Sequence, residues 1–202
     1  MHSMIRSAFA GCLVAAFAVP AFAADDIKID PAEMAKGIQR DIIFQVDDAA
    51  QKLIELAEAT PAAKFHWMPE KGVRTTGEVF LHVATANYLL PSFLGMKPPA
   101  DVNAMTLEKT PMTKEQTVDA LRKSFAHLRQ AIASVPDADL ANEVDLFGNK
   151  MTKQAALLLM ATHAHEHLGQ SIAYARMNRI VPPWTAREQA AAAAKKSSEK
   201  MK

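Results

Sequence analysis

The sequence predicts an all-α protein, a four-helix bundle with long crossover connections. Four segments place apolar residues at intervals of three and four, which is the period of one helix face. The segments between them, residues 61–74, 97–111 and 136–153, carry proline or glycine and are longer than plain bundle turns. Long connections of this kind allow a bundle to depart from simple up-and-down order.

The chain begins with features of a secretory signal peptide. Arg6 precedes a small and apolar segment, residues 8–20, and small residues at 21 and 23 form an A-x-A cleavage motif. The segment is too short to span a bilayer, and no other stretch reaches the roughly 20 apolar residues of a transmembrane helix. We therefore expect residues 1–23 to be removed. The protein would then be exported, periplasmic or secreted, with no membrane attachment after cleavage.

Composition restricts the chemistry of the mature chain. The only cysteine, Cys12, lies in the signal, so no disulfide or thiolate ligand is expected and any metal must use nitrogen and oxygen ligands. After removal of Arg6, 22 basic residues face 22 acidic ones, which argues against binding nucleic acid or an anionic membrane surface. About 180 residues, half of the composition hydrophobic, suffice for one domain, placed at 24–184.

The first helix begins with strong start signals. Asp30 is the predicted N-cap, Pro31 occupies the first helical position and Glu33 completes a capping box. The helix continues to about Ala59 and stops before Pro61. Its apolar stripe is Ile38, Ile42, Val46, Ala49, Leu53 and Leu56.

Two further helices start with capping boxes. Thr75 with Glu78 begins the second helix, which Pro91 disturbs near its end, and Thr113 with Gln116 begins the third. The stripe of the second is Val79, His82, Val83, Ala86, Leu89 and Leu90, and that of the third is Val118, Leu121, Phe125, Leu128, Ile132 and Val135.

Two histidines belong to these helices. His82 lies on the apolar stripe of the second, where a single histidine is more often a hydrogen-bonded core residue than a ligand. His127 falls beside the stripe of the third helix, so we expect it to be solvated.

The fourth helix follows a short extended piece. Residues 142–147 favour an extended segment that turns at Gly148, and a helix is predicted from about Thr152 to Asn178. Residues 185–202 alternate alanines with lysines and serines, which is typical of a frayed helix or a disordered tail.

Five consecutive residues of the fourth helix, 163–167, contain three histidines and a carboxylate. His163 and His167 are four residues apart, so their rings project from one helix face and can hold one divalent ion. His165 lies about 200° around the helix from His163 and cannot easily join them. The H-x-x-x-H spacing alone is a weak signal.

Three segments resemble the DinB-like superfamily, which includes thiol-transferase and maleylpyruvate-isomerase relatives. They are FHWMPEKGVR at 65–74, GEVFLHVA at 77–84 and HAHEHLGQ at 163–170, and together they extend over more than half of the mature chain. The last is the most specific, because members typically show two histidines separated by three residues and followed by x-Gly-Gln.

The resemblance implies a bundle with an unusual helix order and a metal site. In that site His82, His163 and His167 would hold one divalent ion. Zinc is the first choice for three imidazoles without cysteine, although nickel, copper or iron would accept the same nitrogen ligands.

Such a site would leave one coordination position for chemistry. Water bound to a zinc-like ion with three protein ligands has its pKa lowered to near 7, and a thiolate or substrate oxygen could bind instead. In the thiol-transferase relatives, the resemblance implies that the metal activates a small thiol, but export would place the cytosolic thiol pool out of reach. Glu166, adjacent to His167, is the candidate general base, and the alternative is an exposed helix glutamate.

Several functions stay open at this point. An H-x-x-E-H pattern is also typical of inverted zinc peptidases, but the only later acids here are Glu188 and Glu199 in the weak tail. The leading hypothesis is an exported metal-dependent hydrolase or transferase acting on a small molecule. The alternatives are a non-catalytic metal-binding or sensing bundle, and a bundle whose metal is only structural; a homodimer is compatible with each.

Overall fold

The computed structural model describes residues 37–200, and this part of the chain forms five α-helices and one β-hairpin. The all-α prediction is confirmed. The predicted signal at 1–23 and the predicted helix start at Asp30 lie outside the described residues. In chain order the elements are α1 (Ile38–Ala59), α2 (Thr76–Ser92), α3 (Lys114–Ser134), β1 (Glu143–Leu146), β2 (Asn149–Thr152), α4 (Lys153–Met177) and α5 (Pro183–Lys200).

Helices that follow one another in the chain do not always pack together in the bundle. Helix α1 packs against α3 and α4, and α2 also packs against α3 and α4. It follows that α1 and α2 face each other across one diagonal of the bundle, and α3 and α4 across the other. Of the three predicted long connections, those at 60–75 and 135–152 therefore cross the bundle, whereas the one at 97–111 joins α2 and α3, which pack directly against each other. The connection at 135–152 contains the antiparallel hairpin, in which Glu143 pairs with Thr152.

Local hydrogen bonds set the starts of α2 and α3. The N–H of Glu78 donates to the hydroxyl of Thr75, and the Glu78 carboxylate accepts from the Thr75 N–H at 2.8 Å. Thr113 and Gln116 make the same reciprocal pair at α3. Both predicted capping boxes are confirmed, and each satisfies two backbone donors that the helix leaves unpaired.

One hydrophobic core joins the four bundle helices. The predicted stripes of α1 and α3 face it, and α4 contributes Leu157 and Met160. The largest side chains that are fully buried are Phe80, Ile42, Leu53, Leu56, Leu121, Leu128, Ile132, Leu157 and Met160. Because apolar burial drives folding, we expect this core to form without a bound ion.

The prediction that His127 is solvated is wrong. Its side chain is buried, with a relative exposure of 8%, and its ring lies 5.1 Å from that of Tyr88 between centroids. Helix α3 packs against both α1 and α2, so its buried arc is wider than one stripe of threes and fours. Burial lowers the pKa of His127, although a hydrogen bond to the backbone of Met96 opposes this.

The C-terminal segment forms helix α5. Trp184 packs against the core, and Arg187 pairs with Glu55 of α1 at 2.9 Å, whereas most of the helix is exposed. Of the two forms predicted for this tail, the structure has the helix. No helix within residues 37–200 combines the length and the apolar character needed to cross a bilayer.

Candidate metal centre

Two adjacent helices bring three histidines together. His82 projects from α2, and His163 and His167 project from the facing side of α4. One ring nitrogen from each histidine can be chosen so that all three lie within 4.8 Å of one another. The ring centroids are 4.5 to 5.2 Å apart. The four-residue spacing on α4 and the tight packing of α2 against it therefore produce one cluster.

The geometry of the cluster fits a divalent ion. The Nε2 atoms of His82 and His163 lie 3.2 Å apart. Two nitrogens bound to one tetrahedral zinc ion at about 2.0–2.1 Å would be separated by about 3.3 Å. His167 is buried and the other two histidines are partly exposed, so the cluster is held by the core on one side and reaches the surface on the other.

Glu108 and Arg74 surround the second ring nitrogen of His82. The Nδ1 atom of His82 lies 2.6 Å from Oε2 of Glu108, and Nη2 of Arg74 lies 3.0 Å from the same Nδ1. The Nε atom of Arg74 donates to Oε1 of Glu108 at 2.8 Å. Neither residue was predicted to be part of the site, because neither belongs to a ligand spacing.

A second chain of hydrogen bonds supports His167. Its Nδ1 lies 2.8 Å from Oε1 of Gln170, and Nε2 of Gln170 donates to the hydroxyl of Tyr174 at 3.3 Å. That hydroxyl donates to the backbone oxygen of Arg74, also at 3.3 Å. The ring of Trp67 meets Tyr174 edge to face, with centroids 5.4 Å apart. The glutamine of the HAHEHLGQ segment thus orients a predicted ligand.

Burial and neighbouring charges favour the neutral forms of His82 and His163 by lowering the pKa of each. Burial, then the nearby His167, His82 and Arg74, lowers the pKa of His163 to about 3. Burial also lowers the pKa of His82, against the opposing effect of Glu108. Burial alone would raise the pKa of Glu108, but hydrogen bonds from Arg74 and His82 outweigh it and hold that pKa below its usual value. Neutral imidazoles keep the lone pair that a metal ion requires.

The remaining candidate residues lie away from the cluster. His165 turns towards α1, where its Nε2 lies 3.0 Å from the backbone oxygen of Gln45. Glu166 is exposed on α4, and among the described residues no side-chain hydrogen bond links it to the three histidines. The carboxylate that does contact the cluster is Glu108.

The sequence model of the DinB superfamily matches residues 45–171, which contain all three histidines. The chain belongs to the DinB superfamily. The fold of this DinB superfamily member is similar to that of a DinB-like protein from Bacillus cereus ATCC 10987, with 21% identity and a TM-score of 0.60 over 70% of this chain and 93% of that one.

Two further solved structures share the fold of this DinB superfamily member. A conserved protein from Enterococcus faecalis is 18% identical with a TM-score of 0.60, covering 70% of this chain and 97% of that one. A DinB-like protein from Bacillus subtilis is 20% identical with a TM-score of 0.56, covering 70% and 93%. At these identities the likeness shows the fold alone. No curated protein matches the sequence significantly.

Proposed function

We propose that this DinB superfamily member is an exported metal-dependent hydrolase or transferase that binds one divalent ion through His82, His163 and His167. The observation that supports this most is the composition of the cluster. Within residues 37–200 it contains three histidines and no fourth histidine or carboxylate ligand. Three protein ligands leave a coordination position open, which is typical of catalytic rather than structural zinc sites.

The ion would supply the reactive group. A zinc-like ion held by three imidazoles lowers the pKa of bound water to near 7 and can polarise a substrate oxygen. Zinc is the proposed metal, and nickel, copper or iron fit the same nitrogen ligands. Because water is present in every compartment, hydrolysis is compatible with export, whereas transfer from a cytosolic thiol is not.

The chain's own residues would orient the ligands and admit the substrate. Glu108 and Gln170 would each accept from Nδ1 of a ligand histidine, at 2.6 and 2.8 Å, which would leave the Nε2 atoms of His82 and His167 free to bind the ion. The partial exposure of His82 and His163 would let a small substrate approach from the surface.

Glu166 is the proposed general base, because it is exposed and directly precedes the ligand His167. Glu108 is nearer to the cluster, but it is already engaged by Arg74 and His82. If Glu166 has this role, Glu166→Gln should lower kcat at unchanged metal content. Unchanged kcat would make it a surface glutamate.

The deciding experiment measures metal content and turnover on the same preparation. The mature protein would be purified, its metal determined, and the loaded protein tested on ester, amide and thiol-acceptor substrates. We expect turnover that is lost in His163→Ala and after chelation, and is restored by adding the metal back. Turnover that persists without metal would contradict the proposal.

A non-catalytic metal-binding or sensing role is the second candidate. It is favoured by the exposure of Glu166 and by the engagement of Glu108, which together leave the cluster without a free carboxylate in contact among the described residues. Tight metal binding without turnover on any panel would support this role.

A further inference from the structure

The connection between α2 and α3 delivers Glu108 to the metal centre. Glu108 lies in a single helical turn, Leu107–Lys109, which packs against α2 26 residues after His82. Its side chain has a relative exposure of only 18%, and its pairing with His82 lies on the ring edge opposite Nε2. Glu108 is therefore held against His82 by a polar contact and not by packing in the hydrophobic core.

We propose that Glu108 is a positioning residue that fixes the tautomer and the ring orientation of His82, so that Nε2 faces the metal centre. This inference rests on the proposed metal-binding function and deepens it. Nδ1 of an imidazole that binds metal through Nε2 carries the proton and needs an acceptor. Oε2 of Glu108, 2.6 Å away, is that acceptor.

Arg74 makes the choice of tautomer critical. Its Nη2 lies 3.0 Å from the same Nδ1, and a guanidinium can only donate. Donation from Arg74 would require a lone pair on Nδ1, which places the proton on Nε2, where it would block metal binding. With Glu108 present, Nε of Arg74 donates to Oε1 of Glu108 at 2.8 Å and Nη2 donates to Oε2 at 3.4 Å, so Nη2 has a carboxylate acceptor as an alternative to Nδ1. Glu108 therefore both accepts from His82 and engages the group that would favour the wrong tautomer.

This competition predicts a non-additive pair of substitutions. Glu108→Ala removes the acceptor and leaves Arg74 beside Nδ1, so the unfavourable tautomer should be populated. Adding Arg74→Met removes the competing donor but keeps an apolar stem of similar length. The double variant should therefore bind metal more tightly than Glu108→Ala alone, which two independent losses would not produce.

The experiment measures zinc affinity by chelator competition and the His82 tautomer by NMR of its ring nitrogens in metal-free protein at neutral pH. Glu108→Ala should weaken zinc binding by about 10–100-fold and shift the proton of His82 towards Nε2. Glu108→Gln keeps an acceptor oxygen and should stay within a few-fold of the wild type. The matched control is Met105→Ala on the same connection, since the Met105 side chain is 78% exposed; it should change neither readout. Lys109 is unsuitable as a control because its Nζ lies 3.7 Å from Oε1 of Glu108.

The two readouts separate the possible failures. Wild-type zinc affinity in Glu108→Ala, or an unchanged Nδ1–H tautomer in that variant, would overturn the positioning role. If the wild type bound no divalent ion, the proposed function would fail, while the tautomer comparison in metal-free protein would still decide this inference. Should Glu108→Ala not fold, Glu108→Asp takes its place. It retains the charge near Arg74 but is one methylene short of His82, so weaker zinc binding is expected, and wild-type affinity would count against the proposal.

Discussion

The hydroxyl of Tyr174 donates a hydrogen bond to the backbone oxygen of Arg74 over 3.3 Å, although 100 residues separate them. Tyr174 also accepts from Gln170, the partner of His167, while the guanidinium of Arg74 lies beside His82. Arg74, two residues before α2, is thus linked to ligands on both helices. Its side chain lies beside His82 of α2, and its backbone oxygen accepts from Tyr174, which hydrogen-bonds the partner of His167 on α4. The arrangement ties the orientation of the α2 ligand to that of the α4 ligands.

Tyr174→Phe should weaken metal binding severalfold without unfolding the protein. The change removes the hydroxyl that holds the Gln170 amide, but keeps the ring that packs against Trp67. Supporting hydrogen bonds of this kind typically contribute to metal affinity. Isothermal titration with zinc measures the effect. Tyr88→Phe, which alters a buried ring beside His127, is the control and should bind zinc like the wild type; equal losses in both variants would contradict the role of the Tyr174 hydroxyl.

Each of His82→Ala, His163→Ala and His167→Ala should lose the bound ion at near-normal helicity. Every one of these changes removes a nitrogen that no neighbouring side chain can replace, whereas the core that folds the bundle is apolar. Metal content and circular dichroism are measured on the same samples. His165→Ala is the matched control from the same helix, because its ring contacts the backbone of Gln45.

One outcome of the four histidine variants would contradict the proposed ligands. If His165→Ala lost the ion while His82→Ala kept it, the helix-face argument and the ligand set implied by family resemblance would both be wrong. Loss of helicity in the three ligand variants, but not in His165→Ala, would instead indicate a structural metal.

The helices were predictable because their signals are local. The spacing of apolar residues by three and four can be seen within a single segment, and so can a capping box. Helices α2 and α3 begin at the two predicted capping boxes. The pairing of His163 with His167 follows from helix geometry in the same way. His82 became a candidate only through the family resemblance, since nothing local distinguishes a ligand on an apolar stripe from a core histidine.

The supports of the site were not predictable, because tertiary packing places them. Glu108 belongs to a connection without periodicity, and only the packing of its short turn on α2 brings it to His82. The burial of His127 depends on α3 having two neighbours in the bundle, which one stripe does not reveal. Helix order, rather than helix position, is the information that the sequence pattern lacks.

Gly77→Ala should destabilise the protein by roughly 1–3 kcal/mol, the usual cost of overpacking. An added Cβ would lie 3.2 Å from both the ring and the backbone oxygen of Phe65, and that oxygen also accepts from the Gly77 N–H at 2.9 Å, so it cannot easily move. Urea unfolding measures the loss. Gly169→Ala is the control, because nothing lies within 4 Å of its added Cβ and alanine favours a helix; a comparable loss there would refute the steric explanation.

Export remains a prediction that an intact mass can test. The apolar segment and the A-x-A motif predict cleavage after Ala23, so the exported protein should begin at Ala24. Replacing Ala21 and Ala23 by bulky residues should slow processing and retain the precursor. A processed form found for wild type only in the cell interior, or a retained Met1 in exported protein, would contradict the predicted signal.

Stability should fall in mild acid partly because of His127. Its folded-state pKa is lowered by burial, so below the unfolded value of about 6.5 the unfolded chain binds a proton that the folded chain rejects. The stabilising contribution is therefore complete above that pH and decreases as the pH falls towards the folded-state pKa. His127→Phe keeps a ring of similar shape without a titrating group, and should reduce the loss of unfolding free energy between pH 7.5 and 5.5.

Urea unfolding at the two pH values, with a chelator present throughout, measures how much unfolding free energy the wild type and His127→Phe each lose between pH 7.5 and 5.5. Other titrating groups contribute equally to the wild type and to His127→Phe, so they cancel in the comparison. Leu128→Ala, a buried change on the same helix that adds no charge, should lower stability by a similar amount at both pH values. If His127→Phe lost as much unfolding free energy between pH 7.5 and 5.5 as the wild type, burial of His127 would not be a source of the acid sensitivity. Other groups in the bundle would then cause it.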